Sequence, residues 1–294
     1  MTKTAWVFPG QGSQSIGMGA DLSAFPQAQA RFEQAAELLG WSVPEICQSE
    51  ADLVSQTRYT QPCLYVIESI LVDLLRDRDQ QPDFVAGHSL GEYVALYTAG
   101  VFDFATGLKL VQQRAELMAN TSGGMMAALL GFDRDQLEAQ IAQTEGVVLA
   151  NDNNAGQVVI SGTVAAVEAI MANVKSKRAV KLNVSGAFHS PLMAEAAAEY
   201  GKILADVTFQ PAQMPLLSNV DPTPAIDPIA LKQRLTQQMT GSVRWREISL
   251  QLPELGVSKV VEVGPGKVLT GIMKRTIADV ALENVGTVAD LPIA

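Results

Sequence analysis

Apolar residues in the first third of the chain alternate between short uninterrupted runs and stretches with helical spacing. Residues 5–8 and 84–86 are apolar runs followed directly by glycine-containing turns, as is typical of strands that are covered on both faces. Thr60 is the expected N-cap of one helix, with Pro62 in its first turn. Helices are predicted over 27–39, 61–76, 92–99 and 103–120.

The pattern changes between residues 123 and 186, where strands and helices follow in the order β-α-β-β-α-β. That order is the split βαβ unit of a ferredoxin-like module. The polar residues 151–156 predict a turn between the two middle strands. Strands are predicted over 125–130, 147–150, 158–161 and 179–184, and helices over 133–144 and 164–174. We therefore expect a small ferredoxin-like domain over residues 123–187.

Alternation of helices and strands resumes after this unit, so the small domain reads as an insertion into a larger α/β domain. The larger domain would consist of residues 1–122 and 188–294. Its second part is predicted to hold helices over 191–204, 227–239 and 267–278 and a buried strand over 259–263. A cleft between two such domains is a common place for a ligand pocket.

Composition excludes several classes of partner. The chain has 294 residues and a net charge of −10, which argues against non-specific binding to nucleic acid or to an anionic membrane surface. An acidic partner would need a local basic patch, and the candidates are Lys177-Arg178 and Lys274-Arg275, although each pair also reads as an ordinary solvated surface.

Two cysteines, Cys47 and Cys63, form neither a disulfide framework nor a metal-ligand cluster. The start of the chain does not read as a signal peptide, and no apolar run approaches the length of a membrane span. We therefore expect a soluble, cytoplasmic protein without a bound metal.

The most informative motif is Gly87-His88-Ser89-Leu90-Gly91, which lies between a predicted strand and a predicted helix. Gly-x-Ser-x-Gly in that context is the sequence form of a nucleophile elbow, although a structural glycine-rich turn is the alternative. A serine nucleophile needs a base. The chain has two histidines, and neighbouring side chains at a strand end point in opposite directions, so His189 is favoured over His88.

Arg114 occupies an unusual position in the predicted helix over 103–120. Residues three and four positions away on either side are apolar, so the arginine shares an apolar helix face. A guanidinium cannot lose its charge there and needs a partner. The partner is either a carboxylate of the protein or a carboxylate of a ligand, unless the side chain reaches out to solvent.

Taken together in order and spacing, these motifs resemble the malonyl-CoA:acyl-carrier-protein transacylases, the stand-alone acyltransferases of type II fatty acid synthesis. The resemblance covers the whole chain. Besides the serine motif, it is carried by Phe8-Pro9-Gly10-Gln11-Gly12-Ser13-Gln14, Thr60-Gln61-Pro62, Gln113-Arg114, Gly156-Gln157-Val158-Val159-Ile160-Ser161-Gly162, Phe188-His189-Ser190 and Val263-Gly264-Pro265-Gly266-Lys267. It implies an α/β-hydrolase-like domain with a ferredoxin-like insertion.

The resemblance also implies a role for each matching position. Ser89 would be the nucleophile, His189 its base, and Gln238 the residue that orients the histidine. The backbone N–H groups of Gln11 and Leu90 would form an oxyanion hole. Arg114 would bind the malonyl carboxylate. The other implied substrate-binding residues are Gln61 and Met118 in the pocket, Asn151 and Asn153 near the CoA side, and Phe188. Leu90 and Phe188 match the malonyl-selecting versions of two family motifs.

The implied reaction is ping-pong transfer of a malonyl group from malonyl-CoA to the phosphopantetheine thiol of acyl carrier protein, with no metal or cofactor. Lys177, Arg178, Lys274 and Arg275 would then be candidates for docking the carrier protein, and we expect a monomer. The sequence departs from the pattern at Asn154-Ala155, where relatives often have Ser-Pro, and in the variable segment Gly186-Ala187. Two alternatives stay open, a serine esterase or thioesterase with the same elbow and a non-catalytic carrier-protein-binding module.

Overall fold

The computed structural model describes residues 3–293. Its strands are β1 (Lys3–Phe8), β2 (Phe84–Gly87), β3 (Gly124–Phe132), β4 (Val147–Asn154), β5 (Gln157–Thr163), β6 (Ser176–Lys181), β7 (Leu216–Leu217), β8 (Val257–Val263) and β9 (Ala281–Val285). Its α-helices are α1 (Pro26–Leu39), α2 (Val43–Gln48), α3 (Thr57–Arg76), α4 (Gly91–Thr98), α5 (Phe104–Ala119), α6 (Arg134–Gln143), α7 (Val164–Asn173), α8 (Ala194–Ala205), α9 (Pro228–Gln238), α10 (Trp245–Glu254) and α11 (Val268–Met273).

The larger sheet is parallel, with strand order β7-β2-β1-β8-β9. All four residues of β2 and the last four of β1 are buried, because helices cover both faces of the sheet. The order places β1 in the centre, between β2 and β8. The carboxyl ends of β1 and β2 therefore lie side by side, and the loops that follow them form one edge of the sheet.

The smaller sheet is antiparallel, with strand order β4-β5-β3-β6. Helices α6 and α7 bury apolar residues against it and form a separate core, with Leu137, Val167 and Ile170 near its centre. Strand order and connectivity match a ferredoxin-like module. The fold class predicted from the sequence, a large α/β domain with a small ferredoxin-like one, is confirmed. The exact domain ends stay a prediction, and the small sheet lies within 124–181.

Some element predictions were wrong. Helix α3 begins at Thr57, so Thr60 lies inside the helix, where its hydroxyl donates to the carbonyls of Val54 and Gln56. The predicted turn over 151–156 is much shorter, since β4 continues to Asn154. The last helix was predicted to end at 278 but ends at Met273. The sequence analysis also missed α2, β7, α10 and β9.

The small sheet is joined to the large domain along β4. Asn151 forms a parallel bridge with Val243, and backbone hydrogen bonds of 2.8 and 2.9 Å flank it. Asp152 accepts hydrogen bonds from Arg134 on α6 at 2.8 Å and from Arg246 on α10 at 3.0 Å. These contacts fix β4 beside the segment that enters α10. Among residues 3–293, no helix is both long enough and apolar enough to cross a membrane.

Candidate active site

Ser89 lies at the sharp turn between β2 and α4. Its φ is 51°, a left-handed conformation that is uncommon for a residue with a side chain. Glycine is required on both sides of it, because a Cβ at Gly87 would overlap the Gly91 carbonyl and a Cβ at Gly91 would overlap the carbonyl of Phe8. The turn therefore presents the serine at the N-terminus of α4, where the helix dipole favours negative charge.

His189 lies beside this serine, with 2.7 Å between its Nε2 and Ser89 Oγ. Its Nδ1 donates to two backbone carbonyls, that of Gln238 at 2.9 Å and that of Gly241 at 3.1 Å. Burial and, next, the positive charge of Arg114 lower the pKa of His189 to about 3. The imidazole is therefore neutral near pH 7, and its orientation leaves Nε2 free to accept the serine proton.

Arg114 is 1% exposed and lies on α5. Its Nη1 donates to Gln61 Oε1 at 2.6 Å, and its Nη2 donates to Gln238 Oε1 and Ser89 Oγ, both at 3.0 Å. The guanidinium also lies 5.4 Å from the ring centre of Tyr93. Within residues 3–293 it forms no ion pair with a carboxylate. Of the alternatives that the sequence left open, the structure contains neither an internal carboxylate partner nor an exposed guanidinium.

Gln238, at the end of α9, joins these groups through its side chain as well as its backbone. Its amide nitrogen donates to the carbonyl of Ser89 at 2.9 Å and to Glu92 Oε2 at 2.7 Å, while its amide oxygen accepts from Arg114. Burial raises the pKa of the Glu92 carboxyl, whereas the hydrogen bond from Gln238 and the charge of Arg114 lower it. Gln238 therefore separates this buried carboxyl from the guanidinium.

Asn219 is a site residue that the sequence analysis missed. It is fully buried and lies two residues beyond β7. Its Oδ1 accepts from the backbone N–H of Ser89 at 2.7 Å, and its Nδ2 donates to the carbonyl of Gly87 at 2.6 Å. No local pattern marks this asparagine, because its partners lie about 130 positions earlier in the chain.

The backbone N–H groups of Gln11 and Leu90 find no acceptor within residues 3–293. Leu90 precedes the first residue of α4, and Gln11 lies in the loop after β1, the strand next to β2. The side chain of Gln11 donates to Thr57 Oγ1 at 3.1 Å, which holds this loop against α3. Both groups are therefore free to donate to a ligand oxygen.

The second histidine faces away from the serine. His88 is half-buried, its Nε2 lies 2.9 Å from Asn153 Oδ1, and its ring packs against Trp245. Burial lowers the pKa of His88. Asn153 was expected on the CoA side, but it is 4% exposed and its side-chain oxygen is taken up by His88. Asn151 lies in β4, where its Oδ1 is buried without a hydrogen-bond partner in the described chain.

Of the remaining predicted residues, some are buried near Arg114 and others lie on the surface. Met118 and Phe188 are buried, and Gln61 Nε2 lies 3.4 Å from Met118 Sδ. The four basic candidates for docking are exposed, with Lys177 and Arg178 on β6 and Lys274 and Arg275 just after α11. In the described part of the chain, no group of histidine, cysteine and acidic residues could hold a metal ion.

Comparisons with known proteins show the family to which the chain belongs. Residues 5–291 match the acyl transferase domain family. A malonyl CoA-acyl carrier protein transacylase of Synechocystis is 60% identical over 289 residues, covering 98% of this chain and 99% of the relative. The crystal structure of the Synechocystis malonyl-CoA:ACP transacylase matches with a TM-score of 0.97 over 98% of this chain and 99% of that one.

Two more distant structures give the same result. An acyl carrier protein S-malonyltransferase from Vibrio cholerae is 38% identical, covers 98% of each chain and has a TM-score of 0.93. A malonyl-transacylase solved in complex with a type II polyketide acyl-carrier protein is 35% identical and also has a TM-score of 0.93, over 98% of this chain and 97% of that one.

Proposed function

The chain belongs to the acyl transferase domain family, and we infer that it transfers the malonyl group of malonyl-CoA to the phosphopantetheine thiol of acyl carrier protein. The observation that carries this inference is the position of Arg114. A buried guanidinium that has only neutral acceptors, 3.0 Å from a serine hydroxyl, is suited to a substrate that bears both an acyl carbon and a carboxylate.

In the first half-reaction Ser89 Oγ attacks the thioester carbonyl of malonyl-CoA. His189 Nε2 takes the hydroxyl proton as the new C–O bond forms, and the carbonyl oxygen becomes an oxyanion. The free N–H groups of Gln11 and Leu90 would hold this oxyanion, each contributing roughly 3 kcal/mol. The C–S bond then breaks, His189 returns the proton to the departing CoA sulfur, and a malonyl ester of Ser89 remains.

The second half-reaction repeats the steps of the first in reverse order, with the thiol of the carrier protein in place of the thiol of CoA. The phosphopantetheine thiol of the carrier protein loses its proton to His189 and attacks the ester carbonyl, and Ser89 regains its proton as the C–O bond breaks. Ser89, His189 and the two backbone N–H groups supply every proton transfer and the oxyanion contacts in these steps, and we propose that the reaction needs no metal and no cofactor. The phosphopantetheine belongs to the carrier protein.

We propose that Gln238 orients His189 through its backbone carbonyl and that Gln61 and Met118 line the malonyl pocket together with Phe188. Asn151 Oδ1 has no hydrogen-bond partner within residues 3–293, and Asn151 is the better candidate of the two asparagines for contact with CoA. Asn153 would instead hold the turn at Ser89 in place, through its hydrogen bond with the neighbouring His88. The carrier protein would dock on exposed basic residues, for which Lys177, Arg178, Lys274 and Arg275 remain the candidates.

A serine esterase would use the same Ser89–His189 pair, and a carrier-binding module would use neither residue. We favour transfer over hydrolysis because an esterase has no use for a buried guanidinium next to its nucleophile. The pathway that we propose is fatty acid synthesis. The compartment that we propose is the cytoplasm, since both cysteines are free and a reducing compartment keeps them so.

The test is the intact mass of the protein after mixing with malonyl-CoA, beside a Ser89→Ala control. The expected result is a malonyl adduct on the unaltered protein only, which is discharged when the thiol form of acyl carrier protein is added. Release of CoA without an adduct would favour a hydrolase. The absence of both an adduct and CoA release would rule out the malonyl reaction.

A further inference from the structure

Arg114 forms a direct hydrogen bond with the nucleophile. Its Nη2 is 3.0 Å from Ser89 Oγ, and the same oxygen is 2.7 Å from His189 Nε2. The hydroxyl has one proton and two lone pairs. When the proton points to His189, one lone pair accepts from Arg114 and one is left for attack on a carbonyl carbon.

Three of the five guanidinium protons are in use, one on Nη1 and both on Nη2, whereas Nε is buried and has no acceptor in the described residues. Nη2 carries two protons, of which one goes to Gln238 Oε1 and the other to Ser89 Oγ. A ligand carboxylate next to Ser89 can bind Nη2 only by replacing one of these acceptors. Gln238 is held in place by further hydrogen bonds to Ser89 O and Glu92, so the serine hydroxyl is the acceptor that is released more easily.

We propose that Arg114 is a specificity switch as well as a carboxylate clamp, so that it holds Ser89 in a less reactive state until a ligand carboxylate takes over its Nη2 donor. This inference rests on the proposed function. A donor on the attacking oxygen ties up electron density that the attack requires. A cation beside a neutral imidazole also opposes its protonation, which makes His189 a weaker base. A carboxylate on Arg114 relieves both effects.

The other charged and titratable groups around His189 do not supply this relief. Glu92 on α4 accepts from Gln238 and not from Arg114, and its burial favours its neutral form. His88 is turned toward Asn153, and Tyr93 presents its ring to the guanidinium. Within the described residues Arg114 therefore has no ion-pair partner, and a substrate carboxylate would supply one.

The switch can be tested by supplying the substrate in two pieces. Acetyl-CoA provides the thioester and formate provides the carboxylate, so together they reproduce malonyl-CoA without the bond that joins them. The rate of Ser89 acetylation at saturating acetyl-CoA is measured by rapid quench and intact mass, in sodium formate and in sodium chloride of equal ionic strength. We expect formate to raise this rate at least about threefold, with saturation, because a stronger base accelerates proton transfer.

Arg114→Gln is the matched variant, and circular dichroism checks that it is folded. Its acetylation should be unaffected by formate at every formate concentration, whatever its rate without formate. A second readout uses the unaltered protein alone, through the dependence of its acetylation rate on pH. Formate should shift the acidic side of that profile to higher pH, because His189 becomes a stronger base. A structural role for Arg114 alone would not produce that shift.

Competition by formate against malonyl-CoA labelling reports whether formate occupies the clamp. If formate inhibits malonyl-CoA labelling but does not accelerate acetylation, the switch is wrong. If formate does not inhibit malonyl-CoA labelling at all, the switch is also wrong. Malonyl-CoA labelling without formate keeps the two proposals apart. Loss of that labelling contradicts the proposed function, whereas normal labelling without formate activation contradicts only the switch.

Discussion

The backbone N–H of Ser89 donates a 2.7 Å hydrogen bond to the side-chain oxygen of Asn219. The same asparagine donates from Nδ2 to the carbonyl of Gly87, and its own backbone N–H donates to Glu92 Oε2. These three bonds hold both arms of the elbow around a serine with positive φ. The strained backbone at Ser89 is therefore stabilised by a residue distant in sequence rather than by the turn itself.

Substitution of Asn219 by alanine should weaken both stability and acylation. It leaves the Ser89 N–H and the Gly87 carbonyl buried without partners, which costs roughly 1–3 kcal/mol in the free energy of unfolding. A serine displaced by about 1 Å would acylate about a hundredfold more slowly. Chemical denaturation and rapid-quench malonylation measure the two effects. Asn284→Ala is the control, because it removes hydrogen bonds to Glu262 and Thr270 and should leave acylation unchanged.

The pH dependence of stability should reveal the neutral state of His189. Its pKa is about 3 in the folded protein, whereas the pKa of an exposed histidine is about 6.5. Below about pH 6.5 the unfolded chain binds a proton that the folded chain does not, so stability falls as pH decreases from there toward 3, by roughly 1 kcal/mol per pH unit. His189→Gln should lose less stability than the unaltered protein between about pH 7 and about pH 5. Parallel urea titrations that show the same loss in both proteins would contradict this prediction.

Removal of the Arg114 guanidinium should slow malonyl transfer more than acetyl transfer. Arg114→Ala should reduce malonyl transfer by roughly 2–5 kcal/mol of transition-state binding, because the carboxylate loses its partner. Acetyl transfer, which has no carboxylate, should suffer less. Values of kcat/KM for the two CoA esters measure the difference. An equal loss with both substrates would show that Arg114 supports the fold of the site rather than the carboxylate.

The parts of the site that could be predicted from the sequence are those carried by local patterns. The elbow is a five-residue motif between a strand and a helix, and Arg114 stands out because its neighbours on the helix face are apolar. His189 could be favoured because the chain has so few histidines. In each case the residue types and their spacing contain the information, and no long-range contact is needed.

Other features could not be predicted, because they depend on contacts between distant segments. Asn219 is an ordinary polar residue in sequence, and Asn153 was expected near CoA and not beside His88; only the packing of β7 and β4 brings the two side chains to the elbow. The start of α3 was misjudged because Gln56 precedes that helix without capping it, so the threonine–proline pattern was the stronger local signal. Strand β9 is a partly exposed edge strand without a long apolar run.

Charge reversal should identify the docking surface for the carrier protein. Lys177→Glu or Lys274→Glu should raise the KM for acyl carrier protein and leave the KM for malonyl-CoA unchanged, because an exposed cation affects only an acidic partner that reaches it. Lys202→Glu on α8 is the control, with the same change of charge on another exposed lysine. An unchanged KM for the carrier in both test variants would place the docking surface elsewhere.

Glu68 offers a route to a more stable protein. It is fully buried in α3, and neither of its carboxyl oxygens has a hydrogen-bond partner in the described chain. Burial and, next, the negative charge of Glu262 raise its pKa well above the ordinary value. Glu262 has its own donors, among them the N–H groups of Leu269 and Thr270 at the start of α11. Glu68 is therefore the carboxyl that stays protonated.

Because Glu68 stays protonated when folded and ionises when unfolded, it reduces stability progressively as pH rises above about 4.5. Glu68→Met keeps a similar shape and removes the unpaired polar atoms. It should raise the free energy of unfolding by roughly 1–3 kcal/mol at about pH 8 and by less at about pH 5. Urea titrations at both pH values measure the gain, with Glu33→Met on the exposed face of α1 as the control. A gain that is equal at both pH values would mean that Glu68 is already ionised in the folded protein, and a loss of stability would mean that its carboxyl has a partner there.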